Sequence, residues 1–132
     1  MAVVAMLSAA GCQSVPSKKT DSPALVTQMG VSEIAPQQAR PGVDAAYAQF
    51  IDVRSPEEFA AGHAARARNI PIDELLANLD KLERNEPVYL ICQSGNRSKK
   101  AAQMLVDAGF PQAISISGGT IAWKEAGFPV VP

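Results

Sequence analysis

The run Val88-Tyr89-Leu90-Ile91 constrains the fold of this chain more than any other stretch. Four successive apolar, strand-forming residues leave no polar face, so such a strand must be covered on both sides, as in the middle of a parallel sheet. The flanks agree. Pro87 breaks the chain just before the run, and a polar loop beginning at Cys92 follows it. Residues 97–108 then read as a helix with Ala101, Met104, Leu105 and Ala108 on its inner face and Gly109 at its end. The rest of the chain repeats this alternation. Residues 31–34, 48–53, 69–71 and 113–116 read as further strands, the first of them stopped by Pro36. Residues 55–61 begin with a Ser N-cap, a proline and two acidic residues, which are helix-start features. Leu75, Leu76, Leu79 and Leu82 fall at helical spacing over 73–82, and 120–126 forms a last helix before Gly127. The expected class is α/β, an open, mostly parallel five-stranded sheet with helices on both faces.

One such domain uses up most of a 132-residue chain. With 47% hydrophobic residues it can bury a core, and a net charge of -1 argues against a nucleic-acid partner. Residues 1–12 stand apart. Residues 1–11 are uncharged and apolar but shorter than the roughly 20 residues that span a bilayer. The stretch Leu7-Ser8-Ala9-Ala10-Gly11-Cys12 resembles a bacterial lipoprotein signal, with small residues before a cysteine. Export to the periplasm is therefore expected, with Cys12 as a lipidated residue and the lipid as the only link to a membrane. Residues 13–28, rich in Ser, Lys, Thr and Pro, read as a tether, and 29–132 as the folded domain.

Ligands of open α/β sheets bind beyond the carboxyl ends of the strands, which is where Cys92 falls. The loop after it can curl so that backbone N–H groups and the next helix's N-terminus point at the sulfur, favouring the nucleophilic thiolate. Gly95 permits a tight turn, and Arg97 supplies a cation for an incoming oxyanion. The plainer reading is a structural cysteine in the core. Gln93-Ser94-Gly95-Asn96-Arg97-Ser98 is too polar to bury, and this favours function. His63 is the only histidine and reads as structural, as does Trp123 in the core. Asp52 and Arg54 read as a local ion pair bracing the sheet end, and Lys99 and Lys100 as a solvated helix face.

The segment Cys92 to Ser98 resembles the C-x-x-G-x-R-S active loop of single-domain rhodaneses. Asp52-Val53-Arg54 with Glu58-Phe59 is similar to their D-V-R-x-x-x-E-[FY] segment. Gly62-His63, Asn69-Ile70-Pro71, and Gly118-Gly119 with Trp123, Gly127, Pro129 and Val130 match further stretches in the same order. Arg66 stands where the family usually has Gly, and Arg68 adds a second positive charge to that stretch. The resemblance implies a rhodanese-like fold and a sulfurtransferase without metal or organic cofactor. Cys92 would take sulfane sulfur from a donor such as thiosulfate as a persulfide and pass it to cyanide or a thiol. Gln93 to Ser98 would form the substrate-binding loop. The implied partners are those small molecules and a thiol-carrying protein, met by a monomer. Two other readings stay open: a sulfur carrier without turnover, and a cysteine-dependent phosphatase or arsenate reductase of the same fold. The latter have Arg at the sixth position after Cys, where this chain has Ser98.

Overall fold

The computed structural model describes residues 31–132. The expected signal at 1–12, with Cys12, the tether at 13–28 and the first residues of the expected domain lie outside them. Five strands form one parallel sheet: β1 (Ser32–Ile34), β2 (Gln49–Asp52), β4 (Arg68–Asn69), β5 (Val88–Ile91) and β6 (Ala113–Ile116), in the order β1-β6-β5-β2-β4. A separate antiparallel pair joins β3 (His63–Ala64) to β7 (Val130–Val131). As its apolar run requires, β5 lies in the middle, paired with β2 on one side and β6 on the other. From β2 the chain steps outward to β4, and from β5 it steps the opposite way to β6. The topological switch point therefore lies between the carboxyl ends of β2 and β5, at Asp52 and Ile91.

Each face of the sheet has its own apolar layer. Ile51, Leu90 and Ala113 pack with Ala101, Ala102 and Leu105 of α3 (Asn96–Asp107) and with Leu75 and Leu82. On the opposite face Phe50, Ile91 and Ile116 meet Ala39 and Val43 of α1 (Pro36–Val43) and Trp123 of α4 (Gly119–Glu125). Trp123 is core, as expected, and its indole N–H donates to the Pro129 carbonyl at 3.0 Å. Helix α2 (Pro56–Ala60) starts after Ser55, as expected. A capping box closes it there: the Ser55 hydroxyl accepts from Glu58 N–H, and the Glu58 carboxylate accepts from Ser55 N–H.

One expected element needs correction, and three others are not among those expected. The helix over 73–82 is two 3-10 segments, Ile72–Glu74 and Leu76–Lys81, kinked at Asn78. Leu75 and Leu82 are buried but Leu76 is 54% exposed, so the four leucines do not share one face. Helix α1 is an addition to the expected elements. Pro36, read as the end of a strand, also starts that helix, with Gln38 accepting from Ala35 N–H. Finally, β3 and β7 are two residues long and too short to leave a periodic trace. Arg66 has φ +78°, in the left-handed region, which explains why Gly suits this position. Its guanidinium donates to the Ala45 carbonyl.

Candidate functional site

The site lies at the switch point, built from the ends of β2 and β5 and the starts of α2, α3 and α4. Cys92 follows β5 directly. Its sulfur is buried, with the residue 1% exposed, and accepts a hydrogen bond from Gly95 N–H at 3.1 Å. Gly95 caps α3 with φ +104°, so the loop turns back over the sulfur within three residues. Ser98, one turn into α3, places its hydroxyl 3.5 Å from the sulfur. Among the described residues, Gln93, Ser94 and Asn96 give the sulfur no hydrogen bond. The ring of converging amides expected from the sequence reduces, among the described residues, to the Gly95 amide and the Ser98 hydroxyl. The sulfur lies deeper than that expectation placed it.

The floor of the loop is held by α4. Cys92 C=O accepts from Thr120 N–H at 2.7 Å and from the Thr120 hydroxyl at 2.9 Å, and Gln93 C=O accepts from Ile121 N–H at 3.2 Å. The α4 N-terminus can come this close because Gly119 has no side chain. A Cβ there would stand 2.5 Å from both the Cys92 and the Gln93 carbonyl oxygens, and Gly119 has φ +59°. Gly119→Ala is therefore expected to cost about 3 kcal/mol from overlap and a left-handed alanine. The loss would be read as a lower urea midpoint. Whatever reactivity the Cys92 loop confers should change with it, because the displaced backbone is that of the loop itself.

Asp52 and Arg54 form the buried pair anticipated beside the loop, 0% and 4% exposed. Arg54 Nε donates to both Asp52 oxygens at 3.0 Å, and Nη2 donates to Oδ2 at 2.7 Å. The same guanidinium reaches Gly62 C=O at 2.7 Å and Gln93 Oε1 at 3.2 Å, so it ties β2 to the rim of the cysteine loop. Asn69 at the end of β4 donates to the carbonyls of Asp52 and Arg54. His63 donates from Nδ1 to Phe59 C=O and stacks on the Phe59 ring, a structural role. Lys99 and Lys100 are exposed on α3.

Arg97, expected as a fixed cation for an incoming oxyanion, is fixed by an ion pair. Its guanidinium forks onto Glu58 of α2, at 2.7 and 2.9 Å, locking the cysteine loop to the β2–α2 turn. From the sequence, Glu58 reads only as a helix-start acid, although the motif containing Asp52 and Arg54 also contains it. The Arg97 hydrogen bonds hold the Glu58 carboxyl well below its usual range, at about 2 instead of 4.5, with the Ser55 N–H assisting. A lowered carboxyl pKa contributes stability above the unfolded value, which is lost as pH falls toward the folded one. The pair is more than one third exposed, so solvent screening keeps this contribution below about 1 kcal/mol. The stability difference between the parent chain and Glu58→Gln should be constant well above about pH 4.5 and be lost as pH falls from there through about 2. Denaturation curves across that range measure it.

Beside the loop an open groove of about 390 Å³ is lined by Arg54, Glu58, Gln93, Ile121 and Lys124, among others. Gln93 is on its wall, and the buried Cys92 is not. Among the described residues, no group of three His, Cys, Asp or Glu side chains is arranged to hold a metal ion.

The comparisons with known proteins agree with this geometry. The family model described as Rhodanese-like domain matches residues 35–126. Bacillus subtilis protein YqhL is 43% identical over 76 residues, covering 58% of this chain and 60% of YqhL. Vibrio cholerae thiosulfate sulfurtransferase GlpE is 34% identical over 83 residues, covering 63% of this chain and 78% of GlpE. Among solved structures, a rhodanese-related protein from Thermoplasma volcanium superposes with a TM-score of 0.67 at 35% identity, covering 76% of this chain and 97% of that one. The human single-domain sulfurtransferase TSTD1 gives a TM-score of 0.67 at 28% identity, covering 73% and 97%. A parallel sheet of this order, a cysteine loop at its switch point and a family match across nearly the whole described domain have one common explanation: the chain belongs to the rhodanese-like family of sulfurtransferases.

Proposed function

We propose that this chain moves sulfane sulfur from thiosulfate to a thiophilic acceptor through a persulfide on Cys92. The observation that carries the reading is the hydrogen-bonded sulfur at the end of β5, with an amide and a hydroxyl beside it and a groove alongside. In the first step the Cys92 thiolate attacks the outer sulfur of thiosulfate. The S–S bond of the donor breaks, its electron pair leaves with sulfite, and Cys92 carries the new terminal sulfur as an anion. In the second step cyanide or a thiolate attacks that terminal sulfur, the Cys92 S–S bond breaks, and the thiolate returns. The Gly95 amide stabilises negative charge at the cysteine sulfur when Cys92 is the free thiolate, before loading and after discharge. The deep sulfur favours substrates that present a single terminal atom, as thiosulfate and cyanide do, with the bulk of the donor left in the groove.

The competing phosphoryl or arsenate chemistry has its arginine at the sixth position after the cysteine, where this chain has the buried Ser98, and Arg97 falls one position earlier. That shorter spacing favours sulfur. The test is intact mass measurement of the full chain after incubation with thiosulfate. A gain of one sulfur atom, mapped to the Cys92 peptide and removed by cyanide, is the expected result. No gain, or a gain on the Cys12 peptide alone, would refute the assignment.

A further inference from the structure

We infer that Ser115, on the strand next to the cysteine, is a positioning residue that sets the Ser98 hydroxyl toward the Cys92 sulfur. Ser115 is fully buried on β6. It lies two residues after Ala113, on the sheet face covered by α3, in an otherwise apolar layer. A hydroxyl is costly in such a place unless it is paired. Among the described residues the partner of Ser115 Oγ is Ser98 Oγ, at 2.8 Å. Ser98 Oγ also meets Gly95 C=O at 3.2 Å and Cys92 Sγ at 3.5 Å.

Counting protons decides the direction of the chain. Each hydroxyl has one proton to donate and two lone pairs. For Ser115 to be satisfied, its O–H donates to Ser98 Oγ. The Ser98 proton is then free for Gly95 C=O or for the sulfur. Gly95 C=O already receives the Lys99 N–H, at 3.2 Å. When Cys92 is a thiol, its S–H donates to Ser98 Oγ. When it is a thiolate, the Ser98 hydroxyl turns and donates to it. A hydroxyl that accepts a hydrogen bond is a stronger donor, so Ser115 strengthens the bond that Ser98 gives the thiolate.

The inference deepens the reading of Cys92 as the sulfur carrier, but its test needs no sulfur donor. The thiolate absorbance of the full chain, in a Cys12→Ser background, is followed against pH. The charged groups around the loop are Asp52 and Arg54 at the end of β2, Glu58 on α2, Arg97 and Lys99 on α3, and Lys124 and Glu125 on α4. None of them changes in the variants. Ser98→Ala should move the midpoint of thiolate formation to higher pH by about one unit, and Ser115→Ala by about half a unit. In the double variant, Ser115→Ala should add nothing to Ser98→Ala, because it acts only through that hydroxyl. Thermal melts confirm that each variant is folded at the temperature used. An unmoved midpoint in Ser115→Ala, or equal shifts from Ser115→Ala with and without Ser98, would overturn the inference. Failure of sulfur loading in the parent chain would instead count against the persulfide reading and leave this coupling standing.

Discussion

Cys92→Ser is expected to lower thiosulfate-to-cyanide turnover by a factor of about ten thousand or more, while leaving a folded protein. The substitution keeps the shape of the side chain, and the Gly95 N–H and Ser98 hydroxyl that meet the sulfur can meet an oxygen instead. A hydroxyl, however, is not ionised anywhere near neutral pH, and it cannot become a carrier of terminal sulfur. The chemistry is lost without loss of the cradle. Stability should fall by about 1 kcal/mol, the scale of a changed hydrogen bond in a buried place. Steady-state thiocyanate release and urea denaturation together make the check. Turnover within tenfold of the parent would place the nucleophile elsewhere. A collapse of stability would mean that Cys92 is held mainly as core.

The part of this fold that is legible in the sequence is the part in which local pattern and tertiary demand coincide. β5 is legible because four apolar residues cannot tolerate water on either face. The start of α2 is legible because Ser55, Pro56 and Glu58 cap a helix without help from anything distant. Residues 73–82 mislead because leucine spacing records burial without recording which helix type delivers it. With Leu76 turned to solvent, two short 3-10 segments bury Leu75 and Leu82 just as well. α1 is hidden because Pro41 and Gly42 inside it are poor helix residues. It forms because Ala39 and Val43 are covered by the sheet.

The site shows the same division. Cys92, Gly95 and Ser98 are neighbours in the chain, and their grouping around one sulfur follows from a tight loop running into a helix. The Arg97–Glu58 pair joins residues 39 apart, and Ser115 reaches Ser98 from a different strand. No local pattern specifies either contact. The Gly118-Gly119 pair illustrates the middle case. The sequence displays the glycines, but only the approach of α4 to the Cys92 and Gln93 carbonyls explains them.

Arg54→Met should destabilise the domain by about 3–5 kcal/mol, at least the loss expected of Gly119→Ala and more than that of Cys92→Ser. Methionine fills much of the space but leaves the fully buried Asp52 carboxylate with only the residue 54 backbone N–H, at 2.9 Å in the parent chain. The damage is that of an unpaired buried charge, not of a lost attraction, and this makes a specific demand on the double variant. Asp52→Asn in the Arg54→Met background removes the orphaned charge and should recover at least about 1 kcal/mol, so the two substitutions will not add. Denaturant midpoints of the four proteins give the coupling. If the costs of the two single substitutions simply sum, the pair is not acting as a desolvated unit. The double variant should nevertheless stay slow in sulfur transfer, because Gly62 C=O and Gln93 Oε1 lose the guanidinium that fixed them. Recovered stability without recovered activity would then separate the two duties of Arg54: neutralising Asp52, and holding the rim of the cysteine loop against β2.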